Sequence, residues 1–147
     1  MIAATLNNLG QVYLSKLQTD KAEKLFAESL SISKTALGRR ETAITMNNLA
    51  LAYAEGAAPT KAEALLESAC ETLRSSLGQD NYTSASCLHN LAILQAENGS
   101  PKKAERTLIE SLRIKQKALQ PDNPSTISTQ IALAEILAIS QEPDSAQ

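Results

Sequence analysis

Few residues in this chain are equipped for chemistry, and they are scattered. His89 is the single histidine, with no cysteine or second histidine nearby to complete a metal ligand set. Cys70 and Cys87 are too few for a disulfide framework and form no CxxC pair, which favours a reducing compartment. Serines, aspartates and glutamates are plentiful, yet no nucleophile elbow, phosphate-binding loop or HExxH pattern occurs. No catalytic residue, metal or cofactor is therefore assigned, and an enzyme is not expected. What does recur is an amide. Asn7-Asn8, Asn47-Asn48 and His89-Asn90 occupy matching places in three similar segments. Asparagine is a poor residue inside a helix because its amide competes for backbone hydrogen bonds, so its repetition at Asn8, Asn48 and Asn90 needs a reason. Two reasons stay open: a ladder of donors and acceptors along an extended peptide, or amides tying neighbouring helices together.

The elements that position these residues are repeats. Offsets of 40 and then 42 residues bring Thr5-Leu6-Asn7-Asn8-Leu9-Gly10 onto Thr45-Met46-Asn47-Asn48-Leu49-Ala50 and Cys87-Leu88-His89-Asn90-Leu91-Ala92. The same offsets superpose Lys21-Ala22-Glu23, Lys61-Ala62-Glu63 and Lys103-Ala104-Glu105, and also Leu30, Cys70 and Leu112. Several blocks in one register are the mark of an array. A further step of 42 carries Leu91-Ala92 to Leu133-Ala134, giving three whole units and half of a fourth.

Each unit has two apolar stripes of three-to-four spacing separated by turn residues, which predicts helices near 2–16, 20–37, 42–55, 60–77, 83–97, 101–119 and 125–140. Thr60 and Ser100 are expected N-caps, with Pro101 suited to a first turn. Gly38 and Gly78 are expected to end second helices by taking a positive φ. Gly10, Ala50, Ala92 and Ala134 are small at one phase, letting first helices approach Ala22, Ala62 and Ala104 of the second helices. Cys70, in phase with Leu30 and Leu112, is expected to be a buried core thiol.

With these blocks in place, the sequence resembles the tetratricopeptide repeats, in particular the variety of roughly 42 residues found in kinesin light chains. The resemblance rests on the Asn-Asn-Leu blocks, the Ala-Glu at the start of second helices, and Leu119-Gln120-Pro121-Asp122-Asn123-Pro124, close to the family's closing segment. Repeats one and two lack those closing prolines, and Tyr13 and Tyr53 give way to Gln95. The resemblance implies an all-α fold, a right-handed α-solenoid of antiparallel helix pairs. The expected layout is a single solenoid over 1–140 (repeats about 2–41, 42–82 and 83–125, half repeat 126–140), with 141–147 as a flexible tail or the start of another helix.

The resemblance also implies a scaffold that binds a peptide or partner protein in a concave groove lined by first helices. Mapped here, the groove residues are Asn7, Asn8, Gln11 and Leu14; Asn47, Asn48, Leu51 and Glu55; His89, Asn90, Ile93 and Glu97; and Glu135. This set has three carboxylates and no Lys or Arg, so a basic or neutral peptide suits it better than an acidic one. The basic residues, among them Lys102, Lys103, Arg106, Arg113, Lys115 and Lys117, fall on second helices and are expected to be solvated.

Composition agrees with helices and argues against other partner classes. Hydrophobic residues make up 43% of the chain and aromatics 3%, a balance suited to packed helices rather than sheets. Fourteen basic against sixteen acidic residues leave a net charge of −2, without the positive field that draws nucleic acid or anionic membrane. There is no signal-peptide pattern and no apolar run approaching the ~20 residues of a membrane span, so a soluble, cytoplasmic chain is expected. The last helix carries Ile127, Ile131, Leu133, Ile136, Leu137 and Ile139 on nearly every side. A terminal unit should keep one polar face. The alternative to groove binding is therefore a structural or self-association segment of a larger repeat protein, pairing with another copy through Ile131 and Leu137.

Overall fold

The computed structural model describes residues 1–36, 38–56 and 58–141. Its elements are all helical: α1 (Ile2–Ser15), α2 (Thr19–Ala36), α3 (Arg39–Glu55), α4 (Pro59–Leu77), α5 (Tyr82–Glu97), α6 (Pro101–Ala118) and α7 (Pro124–Gln141). They form two compact units, Met1–Leu77 with α1 to α4 and Gly78–Gln147 with α5 to α7. Leu37 and residues 142–147, the latter expected to be a tail, lie outside the described residues.

Most helix ends fall within two residues of the pattern, and the departures have local causes. α3 starts at Arg39, earlier than expected, because Gly38 with φ −70° serves as its N-cap and not as a positive-φ stop for α2. α4 starts at Pro59, whose fixed φ suits a first turn, so Thr60 is inside the helix instead of capping it. Ser100 does cap α6 ahead of Pro101, but without a side-chain hydrogen bond. Gly78 and Gly99 take positive φ, +94° and +80°. Leu17 also does so, at 57°, an uncommon choice for a residue with a Cβ.

In the first unit, α2 packs antiparallel on α1. The Ser29 hydroxyl, just past the middle of α2, donates to the Ala3 carbonyl at the start of α1 (2.7 Å), while Gly10 faces Phe26. That glycine is a fit of volume. A Cβ placed on it would lie 2.7 Å from the Phe26 ring, and Phe26 is fully buried. In the second unit, Ser111 donates to the Ala85 carbonyl at the same 2.7 Å, and Ala92, Ala104, Leu108, Ala132 and Ile136 form the core. Small residues at the expected phase are thus buried at Gly10, Ala50 and Ala92, whereas Ala134 is exposed. Ala132, two residues earlier, supplies the small buried contact on α7. Cys70 and Cys87 are both buried, but neither is a free thiol. The core-thiol expectation is corrected on that point, and the cysteines lend no support to a reducing compartment.

Candidate functional site

The first-helix residues singled out in the sequence divide between surface and interior. In the first unit, Gln11, Asn8 and Glu55 are exposed, and Asn7, Leu14, Asn47 and Leu51 are half-buried. Asn48 is 8% exposed, and its amide nitrogen donates to the Asn7 carbonyl oxygen at 3.0 Å. Its own carbonyl oxygen faces the Asn47 amide nitrogen at 3.4 Å. An amide is suited to this place because it satisfies a buried donor and acceptor together, so α1 and α3 are joined by neutral groups.

In the second unit the corresponding junction, between α5 and α7, has a different chemistry. The residue of α7 in phase with Asn48 is Ala132, which offers no side-chain hydrogen bond. His89, in phase with Asn7 and Asn47, instead places Nδ1 3.0 Å from the Thr129 hydroxyl, one turn earlier on α7. The same hydroxyl accepts from Lys115 Nζ at 2.8 Å and lies 3.0 Å from the Ser125 carbonyl. Lys115 Nζ also donates to that carbonyl at 3.3 Å. At the outer edge, the Tyr82 hydroxyl stands 3.4 Å from Ser125 Oγ. Asn90, Ile93 and His89 are half-buried, and Glu97 and Glu135 are exposed.

Lys115 is the unexpected member. Only 2% exposed, it is buried on α6 against α7 and not solvated on an outer face. Burial holds its ammonium below the ordinary lysine range, with Tyr82 partly opposing the shift. Burial, and then the Lys115 charge, also push the His89 imidazole below its usual value near 6.5, so the ring is neutral at pH 7. Tyr82 is drawn down, first by hydrogen bonds to Ser125 and Ser86 and then by the Lys115 charge.

Family models for the tetratricopeptide repeat match residues 1–75 and 84–125. The chain belongs to the tetratricopeptide repeat family. Tetratricopeptide repeats generally serve as protein-interaction scaffolds and not as catalysts. The fold agrees with solved tetratricopeptide structures. The crystallised, nearly identical TPR-like repeats of a Podosopora anserina protein assigned as a kinesin light chain are 22% identical, with a TM-score of 0.85 over 93% of this chain and 66% of that one. BtubC (BKLC) from P. vanneervenii is 23% identical, with a TM-score of 0.85 over 94% of this chain and 56% of that one. The chain therefore spans two thirds or less of the length of these proteins. No curated protein sequence matches it.

Within this tetratricopeptide fold, the pair singled out for self-association separates. Ile131 is 55% exposed, as are Ile127 (41%) and Ile139 (59%) on the same helix. Leu137 is half-buried and lines a shallow recess of about 430 Å³ with Lys102, Glu105 and Arg106 of α6. Among the described residues no group of His, Cys, Asp and Glu is placed to hold a metal ion, and no helix is long and apolar enough to cross a membrane.

Proposed function

We propose that the chain binds a partner protein through the solvent-facing sides of its first helices. One observation carries this reading. Every first helix has a stripe of three positions at i, i+4 and i+8 of which no member is fully buried: Asn7, Gln11 and Ser15; Asn47, Leu51 and Glu55; His89, Ile93 and Glu97; Ile131, Glu135 and Ile139, with Ile93 resting partly on the core of the second unit. The neighbouring phase, by contrast, is buried at Gly10, Ala50 and Ala92. Side chains spaced one turn apart on an unburied helical face can receive a partner without disturbing the fold. A partner-binding role is also what tetratricopeptide repeats supply in general.

The stripe also says which substitutions make a clean test. Asn48 is poor for this purpose because it is buried and tied to Asn7. Glu55 and Gln11 are exposed, so Glu55→Lys with Gln11→Lys leaves the core intact. Peptides selected from a random display library on the wild-type chain should bind this variant at least about tenfold more weakly at unchanged helical circular dichroism, the size expected when an interfacial polar contact is lost. Equal affinity would sink the first-helix assignment.

A second reading has its own observation, the exposure of Ile127, Ile131 and Ile139 on α7. Exposed apolar side chains grouped on one element favour association, and this supports self-association through that helix. Light scattering after size exclusion should then show a concentration-dependent mass increase abolished by Ile131→Lys. A monomer at every concentration would end this reading.

A further inference from the structure

One side of α1 has the pattern of a buried helix face but lies in water. Ile2, Thr5, Leu9 and Val12 alternate spacings of three and four and so share one side of the helix. Ile2, Leu9 and Val12 are 69%, 42% and 47% exposed. In α3 the counterparts of Thr5, Leu9 and Val12 are Thr45, Leu49 and Ala52, each 4% exposed or less. Helix α2 lies on that side of α3, where the hydroxyl of Thr42, the counterpart of Ile2, donates to the Ser33 carbonyl at 3.2 Å. In α7 the same phase holds Thr126, Thr129 and Ile136, all buried, with Thr129 bonded to Lys115 of α6. Wherever a second helix precedes this phase within its unit, the phase is covered.

Helix α7 is bare on the opposite account. Ala3 and Gly10 of α1 are covered by α2, and Ala85 and Ala92 of α5 by α6. At that phase α7 carries Ile127 and Ala134, both exposed, and the adjoining Ile131 and Ala138 are exposed as well. Single exposed apolar residues are ordinary, but contiguous rows of them mark contact surfaces.

We propose that these two faces bind each other between copies, α1 of one molecule packing antiparallel on α7 of the next. This rests on the self-association reading above and deepens it by naming the surface that α7 meets. Side-chain size favours the pairing: in antiparallel register Ile131 comes opposite Leu9 and Ile127 opposite Val12, while Ala138 and Ala134 leave room for Ile2 and Thr5. Charge favours it too, since the same register brings the exposed Lys16 to the end of α7 that the exposed Asp122 precedes. Direction is the third argument. Neighbouring helices in each unit run antiparallel, and α7 followed by α1 of another copy continues that alternation. Pairing α7 with a second α7 would leave the α1 row in water, whereas the unlike contact covers both rows and is heterologous, joining head to tail.

Two variants of the full chain, each breaking one face, test this: Leu9→Lys and Ile131→Lys. Both positions are exposed, so helical circular dichroism is expected to match the wild type. Masses are read by light scattering after size exclusion, at concentrations where the wild type is associated. Each variant alone is expected to be a monomer. Their equimolar mixture is expected to give a species of twice the mass of one chain and nothing larger, because only one intact α7 and one intact α1 can meet. Val12→Lys repeats the α1 arm at a second exposed position, so that misfolding of one variant does not decide the result. A Leu9→Lys chain that still associates would show α7 pairing with itself, which overturns the head-to-tail contact and leaves the self-association reading standing. A mixture that stays monomeric also overturns it, and a wild type that is monomeric at every concentration ends both.

Discussion

The two units build the same helix pair from different side chains, and their equivalent positions show which features the fold requires. Gly10 and Phe26 of the first unit correspond to Ala92 and Leu108 of the second, and all four are buried. One unit combines no side chain with a large ring; the other combines a methyl with a smaller branched chain. What is held constant is the filled space between the helices. The junctions between first helices differ more. An Asn48–Asn7 amide pair serves α1 and α3, while His89 and Lys115, both bonded to the Thr129 hydroxyl, bring ionisable groups to the contact of α5, α6 and α7. Packing volume is thus shared between the units, and the polar chemistry is particular to each.

Exchanging the volumes one at a time should break this equivalence, and exchanging them together should restore it. Gly10→Ala gains about 1 kcal/mol of helix propensity, but its Cβ meets a fully buried ring at 2.7 Å. Overpacking costs about 1–3 kcal/mol. A net loss of up to roughly 2 kcal/mol is expected, read as a lower midpoint in urea. Gly10→Ala with Phe26→Leu reproduces the pair of the second unit and should recover most of that loss. A double variant no more stable than Gly10→Ala alone would show that volume matching is not what links these positions.

A smaller effect is expected at the turn after each first helix. Leu17 occupies the place that Gly99 has in the second unit; both have positive φ, and Leu17 is 83% exposed. The leucine therefore bears the left-handed strain of a Cβ without compensating burial. Leu17→Gly should raise stability by about 0.5–1 kcal/mol, the strain relieved being partly offset by a freer unfolded chain. Gly99→Leu should lower it by a similar amount, since open space around Gly99 leaves backbone conformation as the cause. Urea midpoints that move in the same direction for the two variants would contradict this account.

The sequence revealed the repeats, and through them the seven helices, because apolar periodicity and small-residue phase are imposed by the same packing in every unit. It was less informative where one residue type serves two purposes. Asn48 could either contact a ligand or tie helices, and its bond to Asn7 shows a tie that periodicity alone cannot distinguish. In sequence Lys115 groups with the solvated basic residues, because Lys102, Lys103 and Lys117 share its helix. The signal that should have isolated it is its phase, shared with Ser33 and Leu73, both buried. A charge at a core phase carries more information than the net charge of its helix. The Gly38 assignment failed for a related reason: glycine permits a positive φ without requiring one, and here it begins α3.

The subtlest difference between the units is their response to acid. The folded chain holds His89 below its usual pKa, through burial first and the Lys115 charge second, whereas Asn7 and Asn47 at the same phase do not titrate. A group whose folded pKa is lowered in this way favours the neutral form in the folded state. Above about pH 6.5 the ring is neutral in both folded and unfolded chains, and it imposes no penalty there. As the pH falls through that value the unfolded chain takes up the proton first, so stability declines until the folded pKa is passed. His89→Asn, which gives the second unit the residue found in the first, removes this dependence while leaving the titration of the carboxylates in place. The difference in melting temperature between wild type and His89→Asn should therefore shift in favour of the variant between pH 7 and pH 5. A difference that stays constant over that window would mean that the imidazole is no more costly to protonate inside the fold than in the unfolded chain, and that the ionisable junction of the second unit is as indifferent to acid as the amide pair of the first.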